Sequence, residues 1–354
     1  MKAKCMERIL VTGGAGFIGS HVAEFYAKRG NDVIVFDNLS REHLLGKGYK
    51  NANYNWNYLR RYGNVKLIKG DVTNFEELAK TIKDVDAIIH LAAQTAVTTS
   101  LMDPKTDFMI NALGTFNVLE ATRISNGDPA IIYTSTNKLY GDNVNKIMVL
   151  EKETRYIFED KFKKGIPETF PIDLCEHTPY GCSKLVGDLY TQDYAKIYGL
   201  KTAAFRISCI YGPRQFGVED QGWVAWFTIA TITGKPITIY GDGKQVRDIL
   251  YVTDLVNAFD AFLQRKNQLS GEVFNIGGGP ENTVSLLELL DMLEQLTGKR
   301  SKITFSNWRP SDQKVYISNI SKAKEKLGWT PKVSAKEGVK KLVNWVSENR
   351  HLFE

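Results

Sequence analysis

The chain has 354 residues, 43% of them hydrophobic and 24% charged, an ordinary globular composition that excludes disordered, collagen-like and coiled-coil readings. Its 46 basic and 40 acidic side chains leave a formal charge of +6, spread along the chain rather than gathered in one tail. That excess favours a phosphate-bearing ligand over a dedicated nucleic-acid arm. The four cysteines, Cys5, Cys175, Cys182 and Cys209, show no C-x-x-C pairing, so neither a disulfide framework nor a metal centre is expected and a reducing compartment is the simplest reading. Met1 to Arg8 is charged, and the apolar run Ile9 to Val11 ends at once in glycines. No signal peptide or membrane span is therefore expected, and the inferred location is cytoplasmic.

In chain order, Arg8–Thr12, Asp32–Asp37, Val65–Lys69, Ala87–Leu91, Ala130–Ser135 and Lys201–Ile207 read as strands, and helical patterns separate most of them. Alternation of this kind implies right-handed βαβ crossovers and a doubly wound parallel α/β sheet, the Rossmann arrangement, with ligands at the carboxyl ends of the strands. After residue 207 the pattern breaks into shorter pieces: strands at Ile237–Tyr240 and Asp248–Val252, and helices near Ser285–Leu296 and Ala335–Asn349. The expected organisation is a dinucleotide-binding domain over residues 1–207 and a smaller substrate-binding lobe over 208–354, with exchange of chain between the two possible. Two insertions, Asn38–Tyr62 and Asn143–Pro179, interrupt the alternation, and loops of that length are usually functional or disordered.

Thr12-Gly13-Gly14-Ala15-Gly16-Phe17-Ile18-Gly19 closes the first strand and opens a helix that continues through Ser20–Arg29. Glycines there permit a tight turn and let backbone approach a pyrophosphate, while the helix N-terminus offers free N–H groups and partial positive charge. Asp37, with Asn38 beside it, ends the second strand where a carboxylate would accept from ribose hydroxyls and repel a 2′-phosphate, so NAD is favoured over NADP. Arg41 either softens that preference or is a solvated loop charge.

Tyr180-Gly181-Cys182-Ser183-Lys184 opens an amphipathic helix, and a spacing of four puts the Tyr and Lys on one face. Downstream of a complete dinucleotide fingerprint, this motif resembles the catalytic pair of the extended short-chain dehydrogenase/reductases. The resemblance implies that Asp71 and Val72 hold adenine, with a helix N-cap shared with Thr73 as the plain alternative for Asp71, and that Leu91, Ala92, Ala93 and Gln94 run under the cofactor ribose. It further implies that Thr136 hydrogen-bonds the reacting hydroxyl while Tyr180, charged with the help of Lys184 and the cofactor, takes its proton. Free tyrosine titrates near 10, so moving it to neutrality needs roughly 4 kcal/mol of differential stabilisation.

Dehydratases of this family carry Asp where Asn137 stands, usually followed by Glu. An amide cannot protonate a leaving hydroxyl, so dehydration is disfavoured. Ser135-Thr136-Asn137-Lys138, Glu153-Thr154-Arg155-Tyr156, Arg214-Gln215-Phe216, Asp220-Gln221-Gly222-Trp223, Gly243-Lys244-Gln245-Val246-Arg247-Asp248 and Ser311-Asp312-Gln313 are similar to the nucleotide-sugar 2-epimerases of the CDP-paratose to CDP-tyvelose type. The resemblance implies transient oxidation at C2 by bound NAD, turnover of the 2-keto sugar and re-reduction. It also implies substrate contacts from Asn137, Gln215, Gln221, Arg247 and Arg309, the two arginines clamping a diphosphate; surface salt bridges are the alternative for both. Many relatives place an Asn near Cys209 that touches substrate phosphate, a contact a thiol makes poorly. Two other readings stay open: a 4-epimerase using the same residues, and a non-catalytic dinucleotide-binding regulator that tracks nucleic acid through Arg41–Tyr62. The modest charge speaks against nucleic acid and for a flap over the cofactor. A homodimer or homotetramer joined through helical faces is what the family implies.

Overall fold

The computed structural model describes residues 7–41, 51–125 and 127–354, so Cys5 and residues 42–50 of the first insertion lie outside the described residues. Seven strands form one sheet in the order Glu272–Ile276, Thr202–Ile207, Ala130–Thr136, Ala87–His90, Arg8–Thr12, Asp32–Asp37, Val65–Lys69, with every neighbouring pair parallel. Val11 sits between Val35 and Ile89 in register. The apolar runs Ile9–Val11 and Ala87–Ile89 are fully buried because helices cover both faces of the sheet. On one face the helix Phe17–Lys28 brings Val22, Ala23 and Tyr26 against Phe259 and Phe262 of the helix Val252–Leu263. On the other face Leu78, Ile82, Val118, Leu119 and Tyr194 pack together. Full burial of each such side chain contributes about 1.5–3 kcal/mol. Strand order reverses between Arg8–Thr12 and Ala87–His90, and the crevice beyond their carboxyl ends is where an open α/β sheet takes its ligand.

Two differences from the sequence expectation concern the region after residue 207. Glu272–Ile276 is a seventh sheet strand paired with Thr202–Ile207. It was not visible in the sequence because Asn275 interrupts its apolar run; the side chain is fully buried and satisfied by donating to the Ile166 carbonyl and accepting from Tyr140, both at 2.8 Å. The expected strand Asp248–Val252 is instead two short ones, Val246–Asp248 and Leu250–Tyr251, paired in different sheets. The cause is Asp248, whose buried carboxylate accepts from Ser208 at 2.7 Å, Ser318 N at 3.1 Å and Gly279 N at 3.2 Å, fixing a kink between them.

The remaining chain builds a second layer, in which the helices Trp223–Thr233, Leu286–Thr297 and Ala335–Glu348 pack with Ile237 and Ile239 of the strand Ile237–Tyr240, whose parallel partner Ile303–Ser306 is an exposed edge. The described parts of both insertions are stitched down. In the second, an antiparallel hairpin, Val149–Glu151 with Tyr156–Phe158, is tied to the second layer by Arg155, which grips Glu288 at 2.6 Å through Nε. In the first, the helix Tyr54–Leu59 buries Trp56 and Leu59, while the hydroxyls of Tyr58 and Tyr62 donate to Glu24 at 2.8 and 3.0 Å. Trp56, Tyr58 and Tyr62 are thus committed to packing against the first long helix, while Tyr54 packs on Phe216. No described helix is long and apolar enough to cross a membrane, and no group of three or more potential metal ligands occurs among the described residues.

Candidate active site

The glycine-rich turn is shaped by close backbone approach. Gly13 has φ +66°, and a Cβ there would lie 2.6 Å from the Ala92 nitrogen; one on Gly19 would lie 2.3 Å from the Gly13 carbonyl oxygen. The segment Leu91–Gln94 therefore runs directly against the turn. Gly16, at the N-cap of the helix Phe17–Lys28, has no side chain to cap it, so the positive end of the helix, with Phe17, Ile18 and Gly19 in its first turn, stays available to an anion. Asp37 accepts from Ala15 N at 3.0 Å through one carboxylate oxygen and from Leu39 N at 2.8 Å through the other. Burial pushes its carboxyl up, against those two bonds. Each oxygen keeps a further lone pair for a ribose hydroxyl. Asp71 caps a turn by accepting from Thr73 N at 2.8 Å and takes the Asn38 amide at 2.8 Å; the following helix is capped by Asn74 instead. Burial raises its carboxyl, but these donors outweigh that and hold it low. A backbone cradle, an uncapped helix end and a carboxylate with spare lone pairs together fit a dinucleotide.

Tyr180 and Lys184 occupy the first two turns of the helix Thr178–Tyr198, and Thr136 ends the strand Ala130–Thr136 facing them. Burial pushes Tyr180 up to about 12, opposed by a hydrogen bond with Thr136 and assisted by the charge of Asp107. Burial also brings Lys184 down to about 7, against the pull of Asp107 and Asp188. The sequence expectation was a lowered tyrosine. In the protein without cofactor the opposite holds, because desolvation disfavours both charged forms at once.

Sequence reasoning missed the residues that hold this pair in place. Asp107, fully buried, accepts from Ser183 Oγ at 2.5 Å, Gln94 Nε2 at 2.9 Å and Asn111 Nδ2 at 3.1 Å. Asn111 lies in the π-helical turn Met109–Leu113 and also donates to the Gln94 carbonyl at 3.0 Å. Gln94, read as a cofactor residue, thus joins the cradle to the catalytic helix. Beneath them His90 is a neutral imidazole. Thr115 Oγ1 donates to the Asn111 carbonyl at 2.6 Å, so it accepts from His90 Nε2 at 3.0 Å, which leaves Nδ1 to accept from Thr12 at 2.6 Å. Burial, and then the Lys184 charge, lower His90 to about 3. The signal for this network, small polar residues inside a helical pattern, is too common to stand out in a sequence.

On the substrate side, Asn137 is buried and accepts from Thr136 Oγ1 at 3.4 Å. Arg247 is buried and bonds Asp312 at 2.6 Å. Arg309 pairs with Asp220 at 2.8 Å and lies 4.2 Å over the Tyr240 ring, farther out on the surface. Gln221 reaches the Thr95 hydroxyl beside Gln94, whereas Gln215 donates to the Ile210 carbonyl at 3.2 Å and leaves its buried Oε1 without a partner. Cys209 accepts from the Trp223 indole at 3.4 Å.

Residues 10–342 match the family model described as GDP-mannose 4,6 dehydratase. The chain belongs to this family. Within the GDP-mannose 4,6 dehydratase family, of the extended short-chain dehydrogenase/reductase type, it is 44% identical to the CDP-paratose 2-epimerase of Salmonella typhi over 96% of this chain and 99% of that one. Among solved structures, UDP-glucose 4-epimerase of Thermotoga maritima with UDP-glucose superposes with a TM-score of 0.80 at 33% identity, covering 97% of this chain and 99% of that one. UDP-glucuronic acid 4-epimerase of Bacillus cereus, in complex with UDP-glucuronic acid and NAD, does so with 0.78 at 30% identity, covering 97% and 99%.

Proposed function

We propose that this chain is an NAD-dependent nucleotide-sugar 2-epimerase acting on a CDP-linked sugar, of the CDP-paratose to CDP-tyvelose type. The observation that carries the reading is the near full-length similarity to a 2-epimerase together with a site that retains Thr136, Tyr180 and Lys184 and lacks the acid for dehydration at Asn137. NAD, when bound, supplies a hydride acceptor and donor at the sugar carbon. The residues of the chain do the rest. The Gly13–Gly19 turn and Asp37 hold the dinucleotide, Leu91–Gln94 run along it, and Asp71 with Val72 flank its adenine. Thr136 orients the C2 hydroxyl and Tyr180 takes its proton as the carbonyl forms, then gives a proton back to that same oxygen once the sugar has turned its other face to the cofactor. The positive charge that the oxidised cofactor brings, with Lys184 beside it, would lower a tyrosine that burial otherwise pushes up to about 12. Arg247 and Arg309 exchange their carboxylate partners for the diphosphate, with Asn137, Gln215 and Gln221 contacting the substrate.

The exposed apolar residues Met102, Phe108, Leu189, Ile197 and Tyr198 lie on the helices at 97–108 and 178–198 and form the face through which we place a homodimer or homotetramer contact.

The test is incubation with CDP-paratose, CDP-glucose and UDP-glucose in heavy water without added NAD, with stereochemistry and label read by NMR. Inversion at C2 without deuterium there is expected. Inversion at C4, or no turnover even with NAD supplied, would overturn the reading in favour of a 4-epimerase or a non-catalytic binder respectively.

A further inference from the structure

We propose that Lys138 is a second phosphate-binding cation, which works beside Arg247 on the sugar-bearing phosphate of the substrate and supplies the contact that Cys209 cannot make. The inference rests on the nucleotide-sugar reading above. Lys138 directly follows the Thr136-Asn137 strand end, and its backbone packs against the first turn of the catalytic helix: a Cβ on Gly181 would lie 3.1 Å from the Lys138 carbonyl oxygen. Its ammonium lies 3.7 Å from Asp312 Oδ1, beyond hydrogen-bond reach, and that same oxygen already takes Arg247 at 2.6 Å. Gln313 N donates to it as well, at 3.0 Å. Two cations thus share one carboxylate oxygen that is already saturated, and they leave a net positive charge between the reacting end of the site and Arg247.

No closer acceptor for the Lys138 ammonium is present among the described residues. Glu176, which lines the same small cavity, is turned to Ser311 at 3.0 Å. The Thr178 hydroxyl, which lines that cavity, is buried without a partner and has a proton to donate to an anion there. A structural ion pair would be closed and mutually satisfied, whereas this arrangement is short of one anion. Burial, offset in part by Asp312, lowers Lys138, as expected for a cation that gains a full partner only when ligand arrives. A phosphate oxygen supplies that charge with strong acceptors.

The test is calorimetric binding of CDP and of cytidine to the full-length protein and to Lys138→Met and Lys138→Arg. For Lys138→Met, CDP affinity is expected to fall by about tenfold or more while cytidine affinity stays within twofold, since one charge-assisted phosphate bond is worth about that factor. Lys138→Arg should recover most of the loss. The melting temperature of Lys138→Met should hold or rise, because an under-compensated cation has been removed. Equal losses for CDP and cytidine, or a CDP loss below twofold, would overturn the proposal. If the wild type prefers UDP, the UDP and uridine pair serves instead, so a wrong base leaves the test intact; a wild type that binds neither diphosphate sinks it.

Discussion

The two halves of the site are built from different materials. The cofactor half is backbone: the Gly13–Gly19 turn pressed against Ala92, an uncapped helix end, and one carboxylate locked by two main-chain N–H groups. The half we assign to substrate is long side chains, Lys138, Gln215, Arg247 and Arg309, most of which spend their hydrogen bonds on protein partners. A backbone cradle has nothing to rearrange and tolerates no added atom. A side-chain site exchanges partners on binding, so single truncations there are graded rather than absolute. Tyr180 sits on the seam and belongs to both.

The comparison sharpens first at that seam. Tyr180→Phe removes the only proton acceptor assigned to the reacting hydroxyl and should lower kcat by roughly a thousandfold, measured by NMR turnover, with the melting temperature nearly unchanged. Gly13→Ala should break the cradle: with φ +66° and a 2.6 Å approach to Ala92, we expect about 1–3 kcal/mol of lost stability in urea melts and loss of co-purifying nucleotide, read by chromatography of denatured protein. A Gly13→Ala protein that keeps both would show the backbone half to be as adaptable as the other.

The pH dependence follows from Lys184. Its folded value, near 7, lies below that of the unfolded chain, so the unfolded state binds more protons between about pH 7 and pH 10, and stability of the cofactor-free protein rises with pH across that window. Lys184→Met should flatten that rise, measured by urea unfolding at pH 7 and pH 9. An unaltered slope would place the ammonium in water. Smallest is Arg309→Met. Its partner Asp220 is half exposed, so stability should change by about 0–1 kcal/mol, while KM for the nucleotide sugar rises by less than roughly tenfold. A loss as large as that from Tyr180→Phe would move Arg309 into the first group.

How much could be read from the sequence tracks the same division. Most strands up to Thr202–Ile207 were legible because their apolar β-branched runs are buried, although Val65–Lys69, at the sheet edge, is only partly covered. Glu272–Ile276 was hidden by the buried Asn275, and Asp248–Val252 was split by a carboxylate that serves three donors. The glycine spacing, Asp37 and the Tyr180–Lys184 pair were legible because helix and turn geometry is set by neighbours in sequence.

By itself, then, the sequence determined the alternation of strand and helix, the glycine-rich turn and the shared helix face of Tyr180 and Lys184, since each depends on contacts a few residues apart. Only the tertiary structure decided that Asp107, Asn111 and Gln94 hold the catalytic helix, that Tyr180 is raised rather than lowered before cofactor binds, and that Lys138 and Arg247 converge on Asp312. Burial and the sharing of the Asp312 carboxylate by Lys138 and Arg247 are properties of distance in space, and spacing along the chain carries no record of them.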